Sequence, residues 1–267
     1  MTPNIGNQVF LSPAMPEVIR QFRSAYANLF AFAGQLNEYA HQEMFQTTVN
    51  SADGQQLLVA SLLHRALTTY QGVILLSERG MPSEARVLLR TLLEVMFRLV
   101  AIAKDREVGR AYIAEDDLHR KKFINKFKLL SEERRTAAGN PALDSLLATL
   151  KQNIKDNDVR ELKTQWFAER AGLVEFYHTA YSVFSGTVHV NVRDLEKALV
   201  VDAQGDVTGF NYGPSDESLD ATMLTAIESL IFCLRGAFSV LPISSNAKLD
   251  SMHKDFAALY DEVSKQQ

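Results

Sequence analysis

The chain has 267 residues, 46% of them hydrophobic and 22% charged, with 13 Gly, 7 Pro, one Cys and a net charge of −4. That much apolar material excludes a disordered, collagen-like or disulfide-scaffold protein, and the net negative charge excludes a molecule that binds polyanions over its whole surface. Cys233 cannot close an internal disulfide, the opening MTPNIGNQVF lacks the basic and apolar runs of a leader, and the most apolar stretch, Met223 to Leu241, holds Glu228 and Arg235; the expectation is a cytoplasmic protein with no membrane span.

Residues 1–15 carry no periodic pattern and are expected to be irregular. From Pro16 to the mid-40s, Val18, Ile19, Phe22, Tyr26, Leu29, Phe30, Ala33 and Leu36 form one stripe at helical spacing. Ser51 and Asp53 are candidate N-caps for a second helix, with Gly80 placed to end it and Pro82 to begin the next. The third helix, Pro82 to Asp105, has apolar residues over so wide an arc that it is expected at the centre of a bundle. A charged fourth helix is predicted over 107–137, stopped by Gly139-Asn140-Pro141, and a weaker one over 142–154. After the break at Asp156-Asn157-Asp158, a helix is predicted from Val159 to Phe184, either continuing through or kinking at Gly186. Residues 200–214 alternate β-branched and aromatic residues around Gln204-Gly205-Asp206, a pattern for a small β-hairpin or ordered loop. Helices Leu219–Leu241 and Ala247–Val263 complete the chain. The predicted fold is all-α: a single domain over 1–267, a bundle of about seven or eight helices.

Polar residues interrupt this pattern in four places. On the third helix, Arg86, Arg90, Glu94 and Arg98 stand four apart along one side. They read either as a solvated row of ion pairs or, if both flanks are covered, as charges kept partly inside for a purpose. A second row, His178, Ser185 and His189, shares one face of an unbroken helix, with Tyr181 and Ser182 adjacent and Asn191 and Arg193 following. Histidine titrates near neutrality and can move protons, and hydroxyl or amide neighbours can orient it or a ligand. Third, acids stand three residues before four of the six histidines; Glu38/His41 and Glu175/His178 form the better set for a di-metal carboxylate bundle, with Glu94 and Glu228 as further carboxylates. Ordinary surface pairing needs no ion. Fourth, Arg120 to Arg135 carries seven basic residues, among them Arg120, Lys121, Lys122, Lys126 and Lys128, against Glu132 and Glu133. Phe123, Phe127 and Leu130 are expected to pack inward there, leaving a basic outer face that could track phosphates.

The RTLLE segment, Arg90 to Glu94, with its Gly-Met-Pro-Ser-Glu-Ala-Arg approach, resembles the R-x-L-x-E signature helix of a bacterial all-helical family of unknown function. That family also carries a Ser…His segment, matched here by Ser185 and His189. The resemblance spans about residues 60–200. It implies an intracellular helical protein associated with phage-defence and stress genes, supplies no activity, and points to Arg90, Glu94, Ser185 and His189. The helical nucleases whose signature sets an Arg four to six residues before a His are a second comparison. None of the six histidines has that spacing, so an RNase-like site would have to join Arg90 to His189.

The first functional expectation is a binding or regulatory module of defence or stress type. It recognises an anionic or nucleotide-like ligand between the third helix and the 178–193 segment, through Arg90 and His189 with Glu94 orienting them. A metal-independent RNase-like effector using Arg90 and His189, with the 120–135 face holding RNA, is the alternative, and the di-metal bundle the second. The first two need no cofactor. The breadth of the apolar helices also suggests a homodimer.

Overall fold

The structure, a computed structural model, describes residues 6–137, 143–188, 192–243 and 247–265. After a 3₁₀ segment at Gly6–Leu11, the helices run α1 (Met15–Ala25), α2 (Ala27–Gln46), α3 (Gly54–Ser77), α4 (Pro82–Lys104), α5 (Arg106–Phe127), α6 (Glu132–Ala137), α7 (Leu143–Asp156), α8 (Thr164–Ala171) and α9 (Val174–Phe176). A π-turn, Tyr177–Tyr181, leads into α10 (Ser182–Val188) and α11 (Val192–Glu196). Strands β1 (Leu199–Val201) and β2 (Val207–Phe210) follow, then α12 (Leu219–Phe238) and α13 (Ala247–Ser264). The fold is all-α with one small antiparallel hairpin, in which Leu199 faces Phe210 and Val200 faces Gly209.

The wide apolar arc of α4 dictates its place. Leu89, Leu92, Leu93, Met96, Phe97 and Leu99 are fully buried, and α3, α8, α10 and α12 pack around them. Burying each such side chain contributes roughly 1.5–3 kcal/mol. α12 is long and apolar enough to cross a membrane by length and composition, yet its apolar residues are mostly buried against α3 and α4, as in a core helix. Asp53 caps α3, accepting from the amides of Gln55 at 2.9 Å and Gln56 at 3.3 Å. Gly80 ends the connection that follows at φ +68°, and its carbonyl accepts from the Ser215 amide at 2.9 Å.

Three long predicted helices are broken. The first divides at Tyr26 (φ −116°, ψ 40°), whose hydroxyl is tied to Asp216 at 3.0 Å. That partner lies far along the chain, where local periodicity carries no sign of it. The fourth stops at Phe127 and resumes as α6, so the predicted stop at Gly139-Asn140-Pro141 lies outside the described residues. The helix predicted from Val159 to Phe184 begins only at Thr164 and ends at Gly172 in the left-handed region, φ +72°, while Lys104 Nζ donates to the preceding Ala171 carbonyl.

A second, small apolar cluster lies away from the main core. Ile124 of α5 is buried against Leu147 and Leu150 of α7. The inward packing expected for Phe123 and Leu130 is therefore wrong: Phe123 is 68% exposed and Leu130 38%, because Ile124 occupies the side of α5 that faces α7. Phe127 is half-buried and its ring lies beside that of Phe123, centroids 6.2 Å apart.

Candidate functional site

Because α4 is covered on both flanks, its charged row is drawn inside. Arg86 is buried, and Arg90, Glu94 and Arg98 are each only about one-fifth exposed. Arg90 Nη1 lies 2.9 Å from Glu94 Oε1, and Arg98 Nη1 lies 3.6 Å from Glu94 Oε2 while donating to the Glu94 carbonyl at 3.1 Å. Tyr181 closes the group from the other side. Its hydroxyl accepts from Arg90 Nη2 at 2.9 Å and donates to Glu94 Oε1 at 3.0 Å, and the Arg90 guanidinium lies 5.2 Å from the centre of the Tyr181 ring. The Tyr181 pKa is raised above the usual tyrosine value, chiefly by burial; the charge of Glu94 acts in the same direction and Arg90 opposes it. The hydroxyl therefore stays protonated, as its donation to Glu94 requires.

The π-turn explains why Tyr181 takes this position. An i→i+5 turn inserts a residue into the helical register and rotates everything after it. Ser182 Oγ accordingly bonds to the Tyr177 carbonyl, five residues back, at 3.0 Å. The Tyr181 ring stacks on Tyr177 (5.0 Å, 18°) and both meet the edge or face of Phe97.

On its other side the row forms one wall of a cleft of about 700 Å³ between α3, α4, α5 and the segment before α8. Glu94 and Arg98 face Arg65 of α3 and Tyr112, Glu115 and His119 of α5 across it. Leu58, Leu62, Val95 and Leu162 supply its apolar surface. Glu115 is buried, and its Oε1 accepts from the Leu162 amide at 2.6 Å, with His119 Nε2 3.9 Å away. Arg98 also lies over the Phe167 ring at 5.1 Å. Arg65 makes no ion pair among the described residues. Glu161, at the rim, is held below the usual carboxylate range by its hydrogen bond with Lys122.

The structure thus joins two of the four residues taken from the sequence, Arg90 and Glu94, and adds Tyr181 to them. Ser185 lies half-buried in α10, one turn beyond Tyr181. His189 and Asn191 lie outside the described residues, as does the side chain of Arg193 in α11. His178 does not reach the α4 row: it is exposed, its ring against Tyr177 at 5.4 Å, because the π-turn breaks the unbroken face on which its placement rested. Glu38, His41, Glu175 and His178 do not assemble, and no group of three or more His, Cys, Asp or Glu side chains with metal-site geometry occurs among the described residues. His41 is engaged by Gln71 at 2.8 Å and stacks on Phe45, while Glu38 accepts from Gln42 at 3.2 Å. The sequence placed Tyr181 only beside the His178 row and His119 only three residues after an acid, and gave no role to Arg65 or Glu115. The i,i+4 spacing of Glu115 and His119 on a helix already predicted was the available signal for two of them.

Residues 56–206, more than half of the chain, match the model of a family of unknown function (DUF5677). No curated protein and no solved structure gives a match.

Proposed function

The chain belongs to that family of unknown function, whose matched region includes every residue named along the cleft, and we propose that it is a binding module for a small nucleotide-like ligand. The observation that carries this reading is the cleft itself. Its volume of about 700 Å³ suits a ligand of nucleotide size. Its apolar wall with Tyr112 covers one side of a flat base. Arg65 and Arg98 supply fixed positive charge for a phosphate. Buried Glu115, with Oε1 already satisfied by a backbone amide, keeps Oε2 as an acceptor for a base amine or ribose hydroxyl. Glu94 is flanked by Arg90 and Arg98 and held by Tyr181, and Glu161 is paired with Lys122, which offsets part of the negative charge that these two, Glu115 and Asp116 bring to the lining.

The role of Arg90 is therefore to position Glu94 and, through it, Arg98, and the ligand lies on the α3–α5 side of α4. The module acts in the cytoplasm, in a bacterial defence or stress system, in keeping with the resemblance of its RTLLE helix.

Titration calorimetry with a panel of nucleoside mono- and triphosphates tests the reading. Saturable heat for at least one of them is expected, with affinity reduced about tenfold or more in Arg65→Ala, the loss of one charge-assisted contact. Arg65 is exposed, so its removal leaves the core intact. No heat from any nucleotide at about 1 mM, or equal affinity in the variant, overturns the proposal.

A further inference from the structure

The second charged region leads to a different surface. Residues 120–135 carry a net charge of +5 in a chain of −4, so the positive charge is local. The structure divides these cations. Lys122 pairs with Glu161 and Lys128 with Asp144, which fastens the end of α5 to its neighbours. Arg120, Lys121 and Lys126 form no ion pair among the described residues. Arg120 and Lys126 stand three residues either side of Phe123, hence on its side of the helix. Phe123 itself is 68% exposed and has Phe127 beside it, while Ile124 takes the inward position.

An exposed phenylalanine with a half-buried second ring beside it, flanked by unpaired cations, is costly to leave in water and is not needed for the core. We infer that this outer face of α5 docks single-stranded nucleic acid, with an unpaired base stacked on Phe123 and the backbone phosphates held by Arg120 and Lys126. The complementarity is twofold. The cations suit phosphate, and an open aromatic face suits a base that has left its own stack, which every base can offer whatever its sequence. A duplex keeps its bases stacked and presents only phosphate, so it satisfies half of the surface. The inference stands apart from the cleft: it uses none of the cleft's residues, although His119 at the cleft mouth is four residues before Phe123 on the same side of α5.

The test is fluorescence anisotropy of a labelled single-stranded RNA of about twelve nucleotides, long enough to cover one such site. Binding at low salt is expected, with log K falling against log salt at a slope of about −1.4 for two phosphate contacts. Phe123→Ala should weaken binding roughly tenfold with the slope unchanged, because stacking is lost and no charge is. Lys126→Glu should weaken it and flatten the slope. Circular dichroism melts of both variants should match the wild type, since both residues are exposed. Three results overturn the inference: no binding at about 50 mM salt, duplex RNA bound as tightly as single strands, or unaltered affinity in Phe123→Ala. Light scattering separates the competing occupant: if Phe123→Ala converts a dimer to a monomer and leaves RNA affinity alone, a second copy of the chain covers this face and the inference fails. Nucleotide binding in the cleft is read independently through Arg65→Ala, so either proposal can fail without the other.

Discussion

Tyr181→Phe removes one oxygen and tests whether the α4 row is a tertiary contact or a local one. The hydroxyl accepts from Arg90 at 2.9 Å and donates to Glu94 at 3.0 Å, two hydrogen bonds to charged groups. Bonds of that kind contribute about 1.5–3 kcal/mol each where water is excluded. Here water is partly present: Arg90 is 20% exposed and Glu94 23%, and they keep their direct contact at 2.9 Å when the hydroxyl is gone. Solvent and that remaining bond compensate for much of the loss, so the net destabilisation is expected at about 1–2 kcal/mol. The ring and its contacts with Tyr177 and Phe97 are retained, which confines the change to the hydroxyl. In a chain of this size that lowers Tm by about 2–8 °C and shifts the urea midpoint with the slope unchanged. Combining it with Arg90→Met should give less than the sum of the two losses, with coupling of at least about 0.5 kcal/mol. A stability within about 0.3 kcal/mol of wild type, together with strict additivity, would show that the Arg90–Glu94 pair stands on α4 alone and that Tyr181 holds nothing.

Burial also sets an alkaline limit. The Tyr26 and Tyr39 hydroxyls are pushed from about 10 to about 12, first by burial and next by carboxylates, and complete burial raises that of Tyr70 further. An unfolded chain releases these protons near pH 10 while the folded chain retains them. The tyrosines therefore leave stability unchanged up to about pH 10, the buried Cys233 thiol starts the decline near pH 9, and the fall steepens toward 12, as urea midpoints measured from pH 8 to 12 should report; a level profile to pH 12 contradicts the assignment. Cys233 is fully buried and its thiol is pushed well above its ordinary value, so a thiol reagent should label the protein only as it unfolds in urea, and prompt labelling in native buffer would count against that burial. Gly80→Ala should cost about 1–3 kcal/mol in a denaturant melt, since φ is +68° and the new Cβ would lie 2.7 Å from Pro214 Cβ, whereas Gly34→Ala, with open space around it in α2, should be neutral or stabilising by up to about 1 kcal/mol. Equal effects at the two positions would refute the argument from φ.

How far the site was legible depends on the range of the interactions that make it. The third helix was plain, because the width of its apolar stripe and Pro82 at its start are local facts. So was the row Arg86, Arg90, Glu94 and Arg98, whose spacing of four puts it on one side of any helix. Whether that row was solvated could not be read, since the flanks are covered by α8 and α10, some 70 to 95 residues further on. The exposure of Phe123 was missed for a similar reason. Phe123, Ile124 and Phe127 are all apolar at helical spacing, and only the docking of α7 decides which of them goes inward.

Local sequence therefore determined that this chain is helical, where its central helix lies, and that a hairpin or ordered loop falls within 200–214, because periodicity, caps and turn residues act within a few positions; the structure makes it a hairpin. The tertiary structure decided that Tyr181 rather than His178 meets Arg90 and Glu94, through a π-turn that rotates the register. It also opened a cleft on the α3–α5 side of α4 and left an aromatic, basic face on α5. Those outcomes depend on which surfaces meet, and contacts between residues distant along the chain leave no periodic trace in either segment.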